Sequence, residues 1–150
     1  MENLTKLNVI KDIVIKRFLF LENEEGYKIS SIIFENLESS ESDIYIDLPE
    51  IKIIYFNQKI GMKIQFNVTI THIPTLYIRN INTRESIVGS DYFTLINKNK
   101  FLIDELPGQN SMEKMESFFT LITKELKGPL HNVINGNEWI KVPQDWGPYK

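Results

Sequence analysis

The chain has 150 residues, with 20 acidic and 17 basic side chains and no cysteine. That length suits one domain able to bury roughly 68–70% of its unfolded surface, and the missing thiol excludes disulfides, thiolate metal sites, cysteine nucleophiles and thioester carriers. The net charge of −3 is unevenly spread: residues 1–50 carry −6, residues 51–100 carry +5 and residues 101–150 carry −2.

The first predicted element is an amphipathic helix over residues 4–22. Leu4, Leu7, Ile10, Val14 and Leu21 recur at helical spacing, with Asn3 as N-cap and Gly26 as the stop. The β-branched run Ile13-Val14-Ile15 opposes this reading, because such side chains are stiff and favour strands. The longest uninterrupted apolar runs, such as Phe18 to Leu21, span four residues, far below the roughly 20 needed to cross a bilayer. Met1-Glu2-Asn3, followed by Lys11 and Asp12, does not read as a secretory signal. The expectation is a cytoplasmic protein that does not engage a membrane.

Strands follow. Tyr27 to Asn36 reads as the first, and the polar segment Leu37 to Ser42 as a loop. Asp43 to Leu48 alternates before Pro49, and Ile51 to Asn57 is apolar on both faces, as a more central strand would be. A glycine-containing hairpin turn, Asn57 to Gly61, leads into the clearest signal in the chain. From Met62 to His72, Ile64, Phe66, Val68 and Ile70 alternate with Lys63, Gln65, Asn67, Thr69 and Thr71 without a fault. Successive strand side chains point to opposite faces, so this segment has one apolar and one polar face. Burying those four apolar side chains contributes roughly 1.5–3 kcal/mol each, while ordering the backbone costs about 1–2 kcal/mol per residue. Such a strand needs neighbours.

Thr75 to Ile81 reads as another strand, Asn82 to Ser90 as a loop, and Asp91 to Ile96 with Lys100 to Leu106 as a hairpin around Asn97-Lys98-Asn99. Met112, Met115, Phe118, Phe119, Ile122 and Leu126 predict a helix over 112–127, capped by Ser111 and closed by Gly128-Pro129. Leu130 to Ile134 reads as a last helical turn, and Glu138 to Val142 as a short strand or an extended arm. The fold class is therefore α+β: a largely antiparallel sheet of about six to seven strands, N-terminal and C-terminal helices packed on it, and an irregular aromatic C-terminal arm.

Chemistry is sparse. His72 and His131 lack partners at metal-ligand spacing, His72 reads as a strand end facing solvent, and His131 is placed to bond the orphan carbonyls of the 112–127 helix. No phosphate loop or nucleophile elbow occurs, and no cofactor is implied. Lys52, Lys59, Lys63, Arg79 and Arg84 interleave with Tyr55, Phe56, Phe66 and Tyr77, a composition found in single-strand nucleic-acid platforms. Phe66 belongs with Ile64 on the apolar face, away from Lys63, which makes nucleic acid the weakest of the binding readings. Two features suit a protein partner instead: the acidic 35–50 segment with Glu38, Glu41 and Asp43, and the arm with Trp139, Trp146 and Tyr149, whose first reading is a segment folded back to close the core's open end and whose second is an exposed anchor, since such aromatics are enriched at interface hot spots.

The leading expectation is a non-catalytic protein-binding module of the inhibitor or immunity type, with Glu38, Glu41, Asp43, Trp146 and Tyr149 as partner contacts. The alternatives are a small-molecule pocket between sheet and C-terminal helix, lined by Met112, Met115, Phe118 and Phe119, and an enzyme using His72 or His131. An edge strand offers a route to a homo-oligomer.

Overall fold

The computed structural model describes residues 2–37, 48–69, 74–88 and 111–140. The expected strand at Asp43 to Leu48, the hairpin at 91–106 and the tail beyond residue 140 lie mostly or wholly outside them. Within the described residues the order is α1 (Glu2–Arg17), α2 (Leu19–Asn23), β1 (Lys28–Glu35), β2 (Glu50–Asn57), β3 (Met62–Thr69), β4 (Thr75–Asn80), β5 (Ser86–Val88), α3 (Ser111–Lys127) and α4 (His131–Ile134).

The five strands form one antiparallel meander in the order β1-β2-β3-β4-β5. The architecture is α+β as expected, with five strands described where six to seven were expected. β2 and β3 alternate between buried and half-buried along their whole length. Register then aligns the buried sets: Ile53 faces Phe66, Tyr55 faces Ile64, Phe66 faces Leu76, and Ile64 faces Ile78, which faces Ile87. All of these belong to the face on which the helices lie. We call it the inner face.

The helices contribute Leu7, Ile10, Val14, Phe18, Leu21, Met115, Phe119, Ile122, Leu126, Val133 and Ile134 to the same core. Its aromatic centre is Phe66, whose ring lies 4.4 Å from that of Phe18 and 6.3 Å from that of Phe119. Phe18 and Phe119 meet edge-on at 5.8 Å. Such tilted and edge-on pairs contribute about 0.5–1.5 kcal/mol each beyond burial.

Three sequence expectations need correction. The helix expected over 4–22 is divided at Phe18, whose φ of −105° and ψ of 22° leave the helical region. The β-branched run did not break the helix, because burial of Ile10 and Val14 outweighs a propensity penalty of tenths of a kcal/mol. Asn3 lies inside α1 instead of capping it, and its amide donates to the Leu37 carbonyl at 2.8 Å. The loop expected at Asn82 to Ser90 contains β5. Arg84, at φ 62°, turns the chain back so that Ile87 lands opposite Ile78.

Gly61 is required at the β2–β3 turn. Its φ is 67°, and an added Cβ would meet the Asn82 side-chain nitrogen at 2.8 Å. The Gly61 carbonyl accepts from Ile81 at 2.9 Å, which ties this turn to the end of β4.

Among the described residues one buried side-chain group is unsatisfied. Tyr55 is fully buried, and its hydroxyl has no hydrogen-bond partner among the described residues. Burial pushes its phenol well above the usual range, with the charge of Glu22 adding to the effect. Tyr27 is shifted the same way, by burial and then by Glu25, but its hydroxyl donates to the Ile134 carbonyl at 2.6 Å. An orphaned buried hydroxyl costs about 1–3 kcal/mol. Tyr55→Phe should therefore raise the unfolding free energy by about 1 kcal/mol in urea denaturation, whereas Tyr27→Phe, which strands the Ile134 carbonyl, should lower it.

The same two phenols predict an alkaline limit. In the unfolded chain they release protons near pH 10; in the folded chain they hold them to higher pH. The unfolded state then binds fewer protons, so stability falls as pH rises above about 10. Ultraviolet absorbance titration should show at least two of the six tyrosines ionising only as the fold is lost.

Candidate functional site

The polar side of the sheet is the outer face, and strand parity decides who occupies it. Of the aromatics interleaved with basic residues, Tyr55 and Phe66 turn inward, while Phe56 and Tyr77 turn outward with Lys52, Lys63 and Arg79. Cross-strand register then arranges these residues in rows. One row crosses all five strands: Lys28, Phe56, Lys63, Arg79 and Ser86. The next contains Ser31, Ile54, Gln65, Tyr77 and Val88. At the far end Glu35 faces Glu50, which faces Thr69.

The outer face is therefore basic at one end and acidic at the other. At the acidic end Lys52 is neutralised, with its Nζ 3.3 Å from Glu35 and 3.8 Å from Glu50. At the basic end Lys28, Lys59, Lys63 and Arg79 take part in no ion pair among the described residues. Lys63 Nζ lies 5.8 Å from the Phe56 ring centroid, a cation–π contact. Gln65 donates to the Asn67 side-chain oxygen at 2.7 Å.

Two concavities open on this basic end. One of about 700 Å³ is lined by Gly26, Lys28, Ser30, Phe56, Asn57, Gln58 and Lys59. A smaller one of about 360 Å³ lies among Lys63, Gln65, Asn67, Tyr77, Arg79 and Ser86. Neither lies between α3 and the sheet, where Met115, Phe118 and Phe119 are buried in the core and Met112 is exposed.

His131 does not bond the orphan carbonyls of α3 through its ring. Its Nε2 lies 2.9 Å from Glu25 Oε1, a partner 106 positions away in sequence. The Asn57 amide donates to the Glu25 carbonyl at 2.9 Å, and Tyr27 reaches Ile134. Glu25 to Tyr27 is thus a clamp joining the start of β1, the end of β2 and α4. An oriented imidazole is part of a catalytic relay, but among the described residues no hydroxyl bonds its other nitrogen, and no three acidic or histidine side chains converge on a metal position. No helix among the described residues is long and apolar enough to cross a membrane.

Of the residues expected at a partner contact, Glu38, Glu41, Asp43, Trp146 and Tyr149 all lie outside the described residues, as does His72. Trp139 is described, and it packs half-buried against the core with Ile140. The basic row was legible only in part: parity separates Phe56 from Phe66, but no single-strand pattern shows that Lys63 and Arg79 stand opposite each other. Like charges directly opposed on one face destabilise a sheet. Arg79→Thr should raise the unfolding free energy by about 0.2–1 kcal/mol at low ionic strength, and chemical denaturation should show the gain shrinking as salt is added.

The chain matches no protein-family model, no curated protein and no solved structure in the comparisons made with each.

Proposed function

We propose that this protein is a non-catalytic binding module that docks another protein, of the inhibitor or immunity type, through the basic end of its outer sheet face. The single observation carrying this reading is the row Lys28, Phe56, Lys63 and Arg79, in which cations stand side by side without carboxylate partners among the described residues. An arrangement that weakens the isolated sheet becomes favourable once an acidic surface lies across it. Phe56 and Tyr77 add apolar area within the same patch, the combination that interface hot spots use. The partner is an acidic protein segment, because the binding residues are basic and Phe56 and Tyr77 beside them offer apolar area to a protein surface.

A second reading rests on the same aromatics. Phe56 and Tyr77 share a face with Lys63 and Arg79, as stacking residues do in single-strand nucleic-acid platforms. The two are separable with defined probes. The immobilised protein should retain poly-L-glutamate at low salt and release it as salt rises. Lys63→Glu with Arg79→Glu should weaken that retention by about tenfold or more while leaving the circular dichroism spectrum unchanged. Tighter retention of an oligothymidylate strand than of poly-L-glutamate would replace the protein partner with a nucleic acid. Retention of neither at low salt would remove the outer face as a docking surface.

A further inference from the structure

β1 differs from its neighbours in one respect: none of its eight residues is buried, whereas β2 and β3 each bury four of eight. It is an edge of the sheet, and among the described residues no strand pairs with its far side. Ile32 and Ile33 are both exposed, and the inner-face residues Ile29 and Phe34 are only half-buried. Among the described strands the opposite edge, β5, is three residues long. Among the described residues β1 is thus the long edge, and it carries four large apolar residues, three of them on the inner face.

The register of β1 gives it a further property. Ser30 is skipped by a bulge between Ile29 and Ser31, and its hydroxyl donates to the Ile54 carbonyl at 3.3 Å. With Ser30 taken out of the ladder, β1 presents seven ladder positions: Lys28, Ile29, Ser31, Ile32, Ile33, Phe34 and Glu35. The outer-face positions are Lys28, Ser31, Ile33 and Glu35, and the inner-face positions are Ile29, Ile32 and Phe34. This series is symmetric about Ile32. Laid antiparallel against a copy of itself, it sets Lys28 opposite Glu35, Ile29 opposite Phe34, Ser31 opposite Ile33 and Ile32 opposite Ile32. Every pair joins residues of the same face, as an antiparallel ladder requires. Bulges and edge lysines ordinarily discourage a neighbouring strand. Here the bulge is what brings Lys28 and Glu35 to one face, and each lysine finds a carboxylate in the opposing strand.

We infer that β1 is a self-complementary edge at which two copies of this chain pair antiparallel, with Ile32 on the twofold axis, to join the five described strands of each copy into one continuous sheet. Two Lys28–Glu35 pairs close the ends, Glu35 sharing its charge with the Lys52 of its own chain at 3.3 Å. Two Ile29–Phe34 pairs extend the inner faces across the junction. This shares only Lys28 with the outer-face reading, whose test is made at Lys63 and Arg79, so the failure of one leaves the other standing.

The full chain should sediment as a dimer. Lys28→Glu places carboxylates opposite each other at both ends, and Glu35→Lys does the same with ammonium groups. Each alone should weaken dimerisation by about tenfold or more, and an equimolar mixture of the two should recover it, since the mixed pair restores both opposite-charge contacts. Because the chain has no cysteine, a single introduced thiol reports position without interference. Residues directly opposed on the twofold lie about 4.5–5.5 Å apart at Cα, within disulfide reach. Ile32→Cys should therefore form a cross-linked dimer under mild oxidation at least about tenfold faster than Ile33→Cys, which faces Ser31. A wild-type chain that stays monomeric up to about 1 mM, a dimer indifferent to both charge reversals, a mixture that stays monomeric, or equal cross-linking at 32 and 33 would each overturn the inference.

Discussion

The packing of Phe66 between Phe18 and Phe119 is the constraint on which the other elements depend. β3 sends every apolar side chain to one side, and that side cannot remain in water. Neither helix alone completes the cover: Phe18 comes from the junction of α1 and α2, and Phe119 from the middle of α3. The two helices are in turn joined directly, Arg17 donating to the Thr120 hydroxyl at 2.9 Å and lying 3.5 Å from Glu116. Sequence segments about a hundred positions apart therefore share one apolar centre, and the meander between them has its curvature and orientation set by what it must cover.

One-sided burial also explains why the opposite face can be chemically different. No outward residue of β2 or β3 is needed for the core, so its polarity can follow other demands. The two ends of that face have diverged. At the Glu35–Glu50 end a lysine sits between carboxylates and local charge is nearly balanced. At the Phe56–Arg79 end the cations accumulate without partners among the described residues. Exposed ion pairs contribute little to stability, so the contrast matters less for folding than for the field each end presents to an approaching molecule. The Glu25–His131 contact belongs to the other kind of interaction. It sits beside the Tyr27–Ile134 hydrogen bond and fixes the geometry of a corner.

The sequence was most legible where periodicity and burial coincide. β3 could be read from Ile64, Phe66 and Val68 alone, and α3 from Met115, Phe119, Ile122 and Leu126. β5 could not, because Ser86-Ile87-Val88 is too short to display a period and is recruited by the match of Ile87 to Ile78. The division of the first helix at Phe18 has no local breaker, neither glycine nor proline, and follows from where that ring must go. The basic row was half visible: parity sorts Phe56 from Phe66, whereas the opposition of Lys63 and Arg79 depends on turn geometry at Gly61 and at the β3–β4 connection. The contact between Glu25 and His131 spans 106 positions, and no pattern within either segment announces it. The bulge at Ser30 was equally silent, since a serine pair in a strand does not say which residue will leave the ladder.

The Tyr27 hydroxyl bonds the carbonyl of Ile134, 107 residues later, and this has a consequence for the nascent chain. Neighbouring strands of a meander are close in sequence, so hairpins can assemble soon after they leave the ribosome. α1 cannot be buried in the same way, because Phe119 and the clamp around Ile134 have not yet been made. At about 5–20 residues per second, the interval between Tyr27 and Ile134 lasts roughly 5–20 s. Through that interval the inner face of the sheet and the apolar stripe of α1 have only each other for shelter. A chain built this way presents its most aggregation-prone surfaces during synthesis and not after it, and its yield in the cell depends on whatever holds those surfaces until the closing helix arrives.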